Sequence, residues 1–378
     1  MAEQSDYAGT AAEIQTIEAP QLDYLPPRMK GTPPKIGLIG CGGITEQHLI
    51  AYRDAGYDVV AMSDKKIERA QGRRDEFFPN AKVYEKYADL LADPRIVVVD
   101  IATHPAERAP LIRQAILAGK HVLSQKPFVV DLKLGKELAD LADKQGVKLA
   151  VNQNGRWAPH VSYMRQAINA GLIGDVTSIT TTVAWNHNWT KDTPFNNIPH
   201  LLLYDFAIHW FDMANCYMTG RKAERIYAAT RNLIGQEARP DLGGAITIEY
   251  PDALVSMHFD ANTRHGPRDE TLIVGTKGAL HSQGPDLTNQ TLTLTTEQGQ
   301  AFPDLQGAWF SAGFDGTMSE LLVAIEEDRQ PSNNPRHNMD SLALAFAAMD
   351  SAQKGQPVTA GSVTQMHDDW LAYPESPA

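Results

Sequence analysis

Three side chains in this sequence could move a proton or hold a reacting oxygen: Lys126, Asp205 and His209. Lys126 stands before a proline and directly after a predicted strand, where its ammonium could donate to a carbinol oxygen. Asp205 and His209 are four residues apart, which places both on one face of a helix. A histidine is the usual proton acceptor for alcohol oxidation near neutral pH. Pairing with Asp205 would raise the pKa of His209, whereas burial would lower it. The sequence does not decide the direction of this pKa shift.

Each of these motifs also has a plainer interpretation. A Lys-Pro step after a strand is usually a solvated loop. An aspartate and a histidine four residues apart are often a surface ion pair, or the histidine is a hydrogen-bonded core residue. A second, independent motif in the right place is therefore needed to support the chemical interpretation.

The residues 40–45, Gly-Cys-Gly-Gly-Ile-Thr, provide that motif, because they have the spacing of a turn that binds a dinucleotide. Gly40 permits the tight turn, Gly42 lets the backbone approach a pyrophosphate, and the following helix N-terminus faces the phosphate charge. Thr45 stands where a third glycine or an alanine is usual. Asp64, at the end of the next strand, can bind the adenosine ribose and would repel a 2′-phosphate. NAD is therefore favoured over NADP.

The elements around this turn predict a doubly wound Rossmann domain over residues 35–154, because short apolar strands alternate with helices. The predicted strands are 35–40, 58–64, 96–103, 121–125 and 147–152, and the predicted helices are 44–55, 66–78, 106–119 and 132–145. Loops after these strands should reach one crevice. The residues expected to contact the cofactor are Gly40, Gly42, Gly43, Ile44, Asp64, Thr103, His104, Pro105, Gln125, Lys126, Asn154 and Trp157.

Residues 155–378 follow a different pattern and predict an α+β domain with an open, largely antiparallel sheet, so the overall class is α/β. The predicted strands are 176–186, 225–231, 245–250, 253–262, 270–275 and 291–296, and the predicted helices are 159–170, 201–217, 318–328 and 339–354. The last two helices could pack back on the Rossmann domain. Residues 1–34 are Pro-rich and predict an arm that is either flexible or extended, or that wraps a neighbouring subunit.

Three segments, GLIGCGGITEQH, VLSQKPF and YDFAIHWFD, resemble the glucose–fructose oxidoreductase, inositol dehydrogenase and rhizopine-catabolism (Gfo/Idh/MocA) family of NAD(P)-dependent oxidoreductases. The resemblance runs from residue 35 to the C-terminal helix. It implies a Glu-Lys-Pro motif in which Gln125 replaces the glutamate, a cis bond before Pro127, and a proton-accepting role for His209. It also implies association through the open sheet, as a homodimer or homotetramer.

The region 157–220 favours a neutral sugar or polyol as substrate. It contains four tryptophans and only two cationic residues, Arg165 and Lys191, and aromatic faces stack well on the C–H faces of sugars. A phosphate would instead need an arginine cluster or another anion site. The residues expected to contact the substrate are Lys126, Arg156, Trp185, His187, Asp205 and His209.

Composition excludes several other classes of function. The net charge of −12 with no basic block argues against nucleic acid and anionic membranes as partners. Two cysteines, Cys41 and Cys216, are too few for a disulfide scaffold or a multi-cysteine metal site, and no metal is expected. No apolar run approaches ~18 residues. The N-terminal residues do not have the pattern of a secretory signal, so a cytoplasmic location is expected.

Three functions are consistent with these motifs. The leading one is an NAD-dependent dehydrogenase acting on a secondary alcohol of a monosaccharide or polyol, or reducing the keto sugar. The second is a redox-neutral enzyme that retains NAD and cleaves a glycosidic bond through transient oxidation. The third is a non-enzymatic protein that senses NAD. The presence of Lys126, Asp205 and His209 together argues against the sensor, because a sensor does not need all three.

Overall fold

The computed structural model describes residues 14–373, and its first layer is a six-stranded parallel sheet of order β3-β2-β1-β4-β5-β6. The strands are β1 (Ile36–Ile39), β2 (Val59–Ser63), β3 (Lys82–Tyr84), β4 (Val98–Ile101), β5 (His121–Gln125) and β6 (Leu149–Asn152). The helices between them are α1 (Thr45–Asp54), α2 (Ile67–Phe77), α3 (Tyr87–Ala92), α4 (Pro105–Leu117) and α5 (Leu132–Gln145). The strand order reverses between β1 and β4, which opens a ligand crevice at the carboxyl ends of the strands. This confirms the predicted doubly wound fold.

The second layer is a nine-stranded sheet of order β14-β13-β12-β11-β7-β10-β9-β8-β15. Its strands are β7 (Val176–Ala184), β8 (Arg225–Arg231), β9 (Gly243–Tyr250), β10 (Ala253–Asp260), β11 (Arg268–Gly275), β12 (Gly278–Gly284), β13 (Thr291–Thr296), β14 (Gly299–Ala301) and β15 (Val358–Thr359). The helices are α6 (Pro159–Asn169), α7 (Ile208–Tyr217), α8 (Trp309–Glu326), α9 (Pro335–Lys354) and α10 (Asp368–Leu371). Every neighbouring pair is antiparallel except β7 with β10, so the sheet is largely antiparallel, as predicted.

Helix α8 begins nine residues before its predicted start at 318, and packing explains the difference. Its first turns contain two glycines, which disfavour a helix in isolation. A Cβ at Gly313 would lie 2.8 Å from the Asn154 carbonyl oxygen, and one at Gly316 would lie 2.2 Å from the Trp157 ring. A larger residue at either position would clash with residues 154–157, so glycine is required at both. The close contact that the glycines permit stabilises the helix there.

Both long C-terminal helices pack back on the Rossmann domain. Phe314, Met318 and Leu322 of α8 share a buried cluster with Leu38 of β1 and Leu49 of α1. Helix α9 contacts both α5 and α7. The two layers therefore share buried surface, and the crevice lies where they meet.

The described part of the N-terminal arm, residues 14–34, lies against helices of its own chain. The Tyr163 hydroxyl in α6 donates to the Pro20 carbonyl at 2.8 Å. Arg28 forms two hydrogen bonds with the Asp315 carboxylate of α8, at 2.7 and 2.6 Å. These contacts fit an extended segment on its own chain, which is one of the predicted interpretations of the arm. Residues 1–13 lie outside the described part of the chain.

The buried carboxyl of Asp269 in β11 generates a stability prediction. Burial, with a smaller contribution from Asp286, raises its pKa to about 7, and its Oδ2 has no hydrogen-bond partner in the described residues. The folded protein therefore binds this proton more tightly than the unfolded chain does, so stability falls as pH rises from about 4 to about 7.

Asp269→Asn, which resembles the protonated acid, should raise the free energy of unfolding by about 1–3 kcal/mol at pH 8. The same substitution should change the free energy of unfolding little near pH 4. Thermal unfolding of the wild type and the variant at pH 8 and pH 4 tests this prediction. An equal change in stability at the two pH values would contradict it.

Candidate active site

One continuous cavity of about 1240 Å³ lies between the parallel strand ends and the second domain. Small-ligand pockets are usually about 300–1,000 Å³, so this cavity has room for a dinucleotide and a second molecule. It is lined by every predicted cofactor residue except Trp157 and every predicted substrate residue except Arg156. The structure thus brings together residues that the sequence separates by more than 160 positions, from Gly40 to His209.

The glycine turn has the shape that a pyrophosphate site needs. Gly40 has a φ of +90°, and a Cβ there would lie 2.9 Å from the Ala102 carbonyl carbon, so only glycine fits. A Cβ at Gly42 or Gly43 would meet no atom within 4 Å. The open space lies over the N-terminus of α1, where backbone N–H groups favour a negative charge.

Asp64 is held in place at the edge of this turn. Its Oδ2 accepts the Cys41 N–H at 2.7 Å and its Oδ1 accepts the Lys66 N–H at 2.8 Å. Each carboxylate oxygen keeps a further lone pair that can accept from a ribose hydroxyl. A fixed negative charge at this place would repel a 2′-phosphate, which favours NAD over NADP.

Arg108 ties together the two loops that carry the central part of the site. Its fully buried guanidinium donates to the carbonyl oxygens of Thr103, Gln125 and Pro127. Burial lowers the pKa of Arg108 to about 10, so it stays charged at neutral pH. Thr103 and Lys126 therefore reach the cavity from loops that share one cation.

Gln125 is oriented by a buried network that fits an amide at this position. His48 Nδ1 lies 2.7 Å from Asp100 Oδ2, to which the Tyr52 hydroxyl also donates at 2.8 Å. With a proton on Nδ1 toward this carboxylate, His48 can accept at Nε2, and Gln125 Nε2 lies 3.0 Å from it as the donor. Gln125 Oε1 is then turned to accept the Lys126 N–H at 2.7 Å.

Lys126 crosses from the Rossmann domain to the second domain. Its ammonium donates to the Asp205 carbonyl oxygen at 2.8 Å and lies 3.3 Å from Asp205 Oδ2. The Lys126–Pro127 bond is cis, as the resemblance implies. Since Gln125 Oε1 fixes the backbone and Asp205 fixes the ammonium, the lysine is held at both ends.

His209 does not pair with Asp205 as the four-residue spacing suggests. The predicted helix 201–217 is interrupted by a π-turn over Leu202–Phe206, in which the Ala207 N–H donates to the Leu202 carbonyl at 2.8 Å. The extra residue in this turn breaks the four-residue phase. Asp205 therefore points its polar atoms at Lys126, and no hydrogen bond joins Asp205 to His209 among the described residues.

The surroundings of His209 keep its imidazole neutral. Burial, with a smaller contribution from the Lys126 charge, lowers the pKa of His209 well below its usual value of 6.5. Its Nδ1 is buried with no partner in the described structure, and the ring lies beside Trp309 at 5.7 Å between centroids. Of the two shifts that the sequence left open, burial favours the downward one, which leaves the ring unprotonated at neutral pH, as a proton acceptor must be.

Six of the eighteen buried side-chain polar atoms that have no protein partner in residues 14–373 belong to residues that line this cavity. Those on residues lining it are Thr103 Oγ1, Asn154 Nδ2, Trp185 Nε1, His187 Nε2, Tyr204 Oη and His209 Nδ1. A buried polar group without a partner is costly, so such a group commonly marks a place where ligand or water binds. Hydroxyl groups of a polyol can both donate to and accept from this set.

Two predicted contact residues, Arg156 and Trp157, do not line the cavity, so the prediction was wrong for them. Arg156 Nε and Nη2 each donate to the Asp212 carboxylate at 2.6 Å, in a fully buried ion pair. Trp157 packs against Gly316 of α8 and under the Arg165 guanidinium, 5.2 Å from the ring. The 3₁₀ turn Asn154–Trp157 exposes only its first residue to the cavity, so both side chains serve the packing between helices instead.

The sequence did not identify the buried groups that hold the site residues in position, namely Arg108, His48 and Asp100. A signal was present for Asp100, because a carboxylate inside the apolar strand β4 must find a partner when it is buried. Nothing in the sequence pattern indicates that Arg108, one residue among several cations on predicted helices, would turn inward.

Comparisons with known proteins agree with this geometry. Residues 34–153 match the family model described as the oxidoreductase family, NAD-binding Rossmann fold (GFO_IDH_MocA). Residues 161–281 match the GFO/IDH/MocA C-terminal domain. The chain belongs to the Gfo/Idh/MocA oxidoreductase family. It is therefore an oxidoreductase with NAD as its cofactor, and the glycine turn and Asp64 fit that dinucleotide.

Similar proteins cover most of the chain. D-apiose dehydrogenase of Paraburkholderia graminis is 26% identical over 86% of this chain and 89% of its own. The 1,5-anhydro-D-fructose reductase of Ensifer adhaerens is 26% identical over 85% of this chain and 96% of its own. An Agrobacterium radiobacter oxidoreductase, solved with NAD⁺, L-tartaric acid and magnesium, has the same fold with a TM-score of 0.78 at 21% identity, over 88% of this chain and 99% of its own.

Two further findings concern the described residues only. None of their helices is long and apolar enough to cross a membrane. They contain no group of three or more His, Cys, Asp or Glu side chains placed to hold a metal ion.

Proposed function

We propose that this oxidoreductase oxidises a secondary alcohol of a neutral sugar or polyol, or reduces the corresponding keto sugar. The observation that carries the proposal is that the Lys126 ammonium and the neutral His209 imidazole line the same cavity, with the lysine charge close enough to lower the pKa of His209. Alcohol oxidation needs a base for the hydroxyl proton and a positive group near the oxygen, and these two residues supply them.

The roles of the three residues follow from their contacts. His209 takes the hydroxyl proton, because its lowered pKa leaves the ring free to accept one at neutral pH. Lys126 donates a hydrogen bond to the same oxygen, and Asp205 holds its ammonium in place. NAD, when bound, supplies the hydride acceptor. The reverse reaction, reduction of the keto sugar, uses the same residues, with the proton passing from His209 back to the oxygen.

The lining of the second domain supports a neutral polyhydroxylated substrate. Trp185 and Trp210 provide aromatic faces, with ring centroids 5.4 Å apart. His187, which also lines the cavity, is uncharged near neutral pH, because burial lowers its pKa to about 4. The similar proteins named for apiose, anhydrofructose and inositol add support for the sugar and polyol class.

Replacing His209 tests this proposal. His209→Ala should lower kcat about 10²–10⁴-fold while leaving NAD binding nearly unchanged, because the loss falls on proton transfer. Lys126→Met should cause a comparable loss that does not add to the first, since both residues act on one oxygen. The measurement is NADH formation across a panel of sugars and polyols, with NAD binding measured separately.

Three results would contradict the proposal. Near wild-type kcat in His209→Ala would move the base to another residue. Product release without net NADH would favour the redox-neutral enzyme, and NAD binding with no turnover of any substrate would favour the sensor.

We also propose that the protein forms a dimer or tetramer through the open face of the nine-stranded sheet. That face is rich in threonine, and it exposes Tyr227, Leu254 and Leu272 at 42%, 53% and 37%. The neighbouring strands β8, β9, β10, β7 and β11 form one continuous surface around these side chains. Two such faces can pack against each other as sheets do in a sandwich.

Light scattering tests this assembly. The protein should have two or four times the chain mass of 41.5 kDa at micromolar concentration. Leu254→Glu, which places a charge on the face, should reduce the mass, and Phe302→Glu, which changes an exposed phenylalanine outside the sheet strands, should not. A wild-type mass equal to that of one chain would overturn the proposal.

A further inference from the structure

Trp189 is an exposed tryptophan with a fixed orientation on the rim of the cavity. Trp189 is 53% exposed, yet its Nε1 donates to His187 Nδ1 at 3.1 Å. The ring of Phe195 meets it edge-on, with centroids 6.0 Å apart. Both residues line the same cavity as His209.

The loop that carries these two rings is anchored at its start by Asn188. The Asn188 amide donates to Asn186 Oδ1 at 2.9 Å and to Asn262 Oδ1 at 2.7 Å. Its oxygen accepts the N–H groups of Glu237 and Ala238 at 2.6 and 3.2 Å. All the hydrogen-bonding capacity of one buried side chain is therefore used to fix the residue next to Trp189.

The far end of the loop is anchored as well. Asn196 Oδ1 accepts the Arg239 N–H at 2.7 Å, and the Asn197 carbonyl accepts the Tyr373 N–H at 3.0 Å. The Arg239 guanidinium lies 3.7 Å from the centroid of the Tyr373 ring. An exposed tryptophan beside a half-buried phenylalanine on so well-fixed a loop is a prepared surface, because little ordering cost remains when a ring stacks on it.

A line of rings connects the reacting groups to this surface. His209 neighbours Trp210 at 6.3 Å, Trp210 neighbours Trp185 at 5.4 Å, and Trp185 neighbours His187 at 5.3 Å between centroids. His187 in turn lies 5.9 Å from Trp189. The aromatic wall thus continues past the place where one sugar ring contacts His209 and Lys126.

His187 presents a hydrogen-bond donor midway along this wall. Because its Nδ1 accepts from Trp189 Nε1, the proton of the neutral ring is on Nε2. Nε2 is buried and has no protein partner among the described residues. Lys191, the cation of the loop, is paired with Glu237, so this part of the wall suits an uncharged group.

We propose that the substrate is a glycoside, in which the sugar that is oxidised carries a second, uncharged ring that stacks on Trp189 and contacts the neighbouring Phe195. His187 Nε2–H donates to an oxygen near the junction of the two rings. The inference rests on the proposed function and narrows its substrate class. The second ring is either another sugar or an aryl group, since both present an apolar face to an aromatic side chain.

The test compares NADH formation from matched substrates: methyl glycosides, phenyl glycosides and disaccharides that share the same reacting sugar. The wild-type kcat/KM should be higher with the two ring-bearing substrates than with the methyl glycoside. Trp189→Ala and Phe195→Ala should each reduce that preference about 2- to 10-fold, as expected for loss of an aromatic contact. Phe302→Ala, which removes an exposed phenylalanine outside the cavity lining, should leave the preference unchanged. A preference for the phenyl glycoside or for the disaccharide identifies the source of the second ring.

Equal kcat/KM for methyl and ring-bearing substrates would overturn the inference, as would a Trp189→Ala loss that is the same for all of them. A lower molecular mass of Trp189→Ala would assign the residue to a subunit interface instead. If no sugar reduces NAD, the proposed function fails, and calorimetry of the same substrates with the NAD-loaded protein decides the inference. Weaker binding of ring-bearing substrates to Trp189→Ala than to wild type supports it, and no difference or no binding overturns it.

Discussion

The hydrogen bond from the Lys126 ammonium to the Asp205 carbonyl joins the two domains at the site, and the rest of the site depends on it. One end of the lysine belongs to the loop after β5 and the other reaches the π-turn that leads into α7. The contact places a positive charge near His209, where it adds to burial in lowering the pKa of the imidazole. One interaction thus fixes the position of the cation and adds to the burial that keeps the base neutral.

Two features of the chain make this contact possible. On the Rossmann side, the buried His48 and Gln125 orient the backbone of Lys126. On the other side, the π-turn turns Asp205 away from His209 and toward the lysine. A regular helix over 201–217 would place Asp205 beside the histidine and raise its pKa, so the irregular turn separates the two functions.

The sequence predicted the parts of the fold that rest on local pattern. The alternation of strands and helices before residue 154 indicated the parallel sheet, and the turn at Gly40 indicated the dinucleotide site, because both signals are short-range. The sequence did not predict the first turns of α8 or the positions of Arg156 and Trp157, because these depend on packing between distant segments. Arg108 and His48 were missed for the same reason, since a buried polar group is identified by its partners and not by its neighbours in sequence.

The protonation state of His209 is the most direct test of this account. Histidine-labelled protein, loaded with NAD, can be followed by nuclear magnetic resonance from pH 8 downward, with His209→Gln used to assign the signal. The account predicts that His209 stays neutral well below pH 6.5, and that Lys126→Met shifts its titration upward because a nearby positive charge is removed. A wild-type His209 that titrates at or above pH 6.5, or a titration that Lys126→Met does not move, would contradict the account.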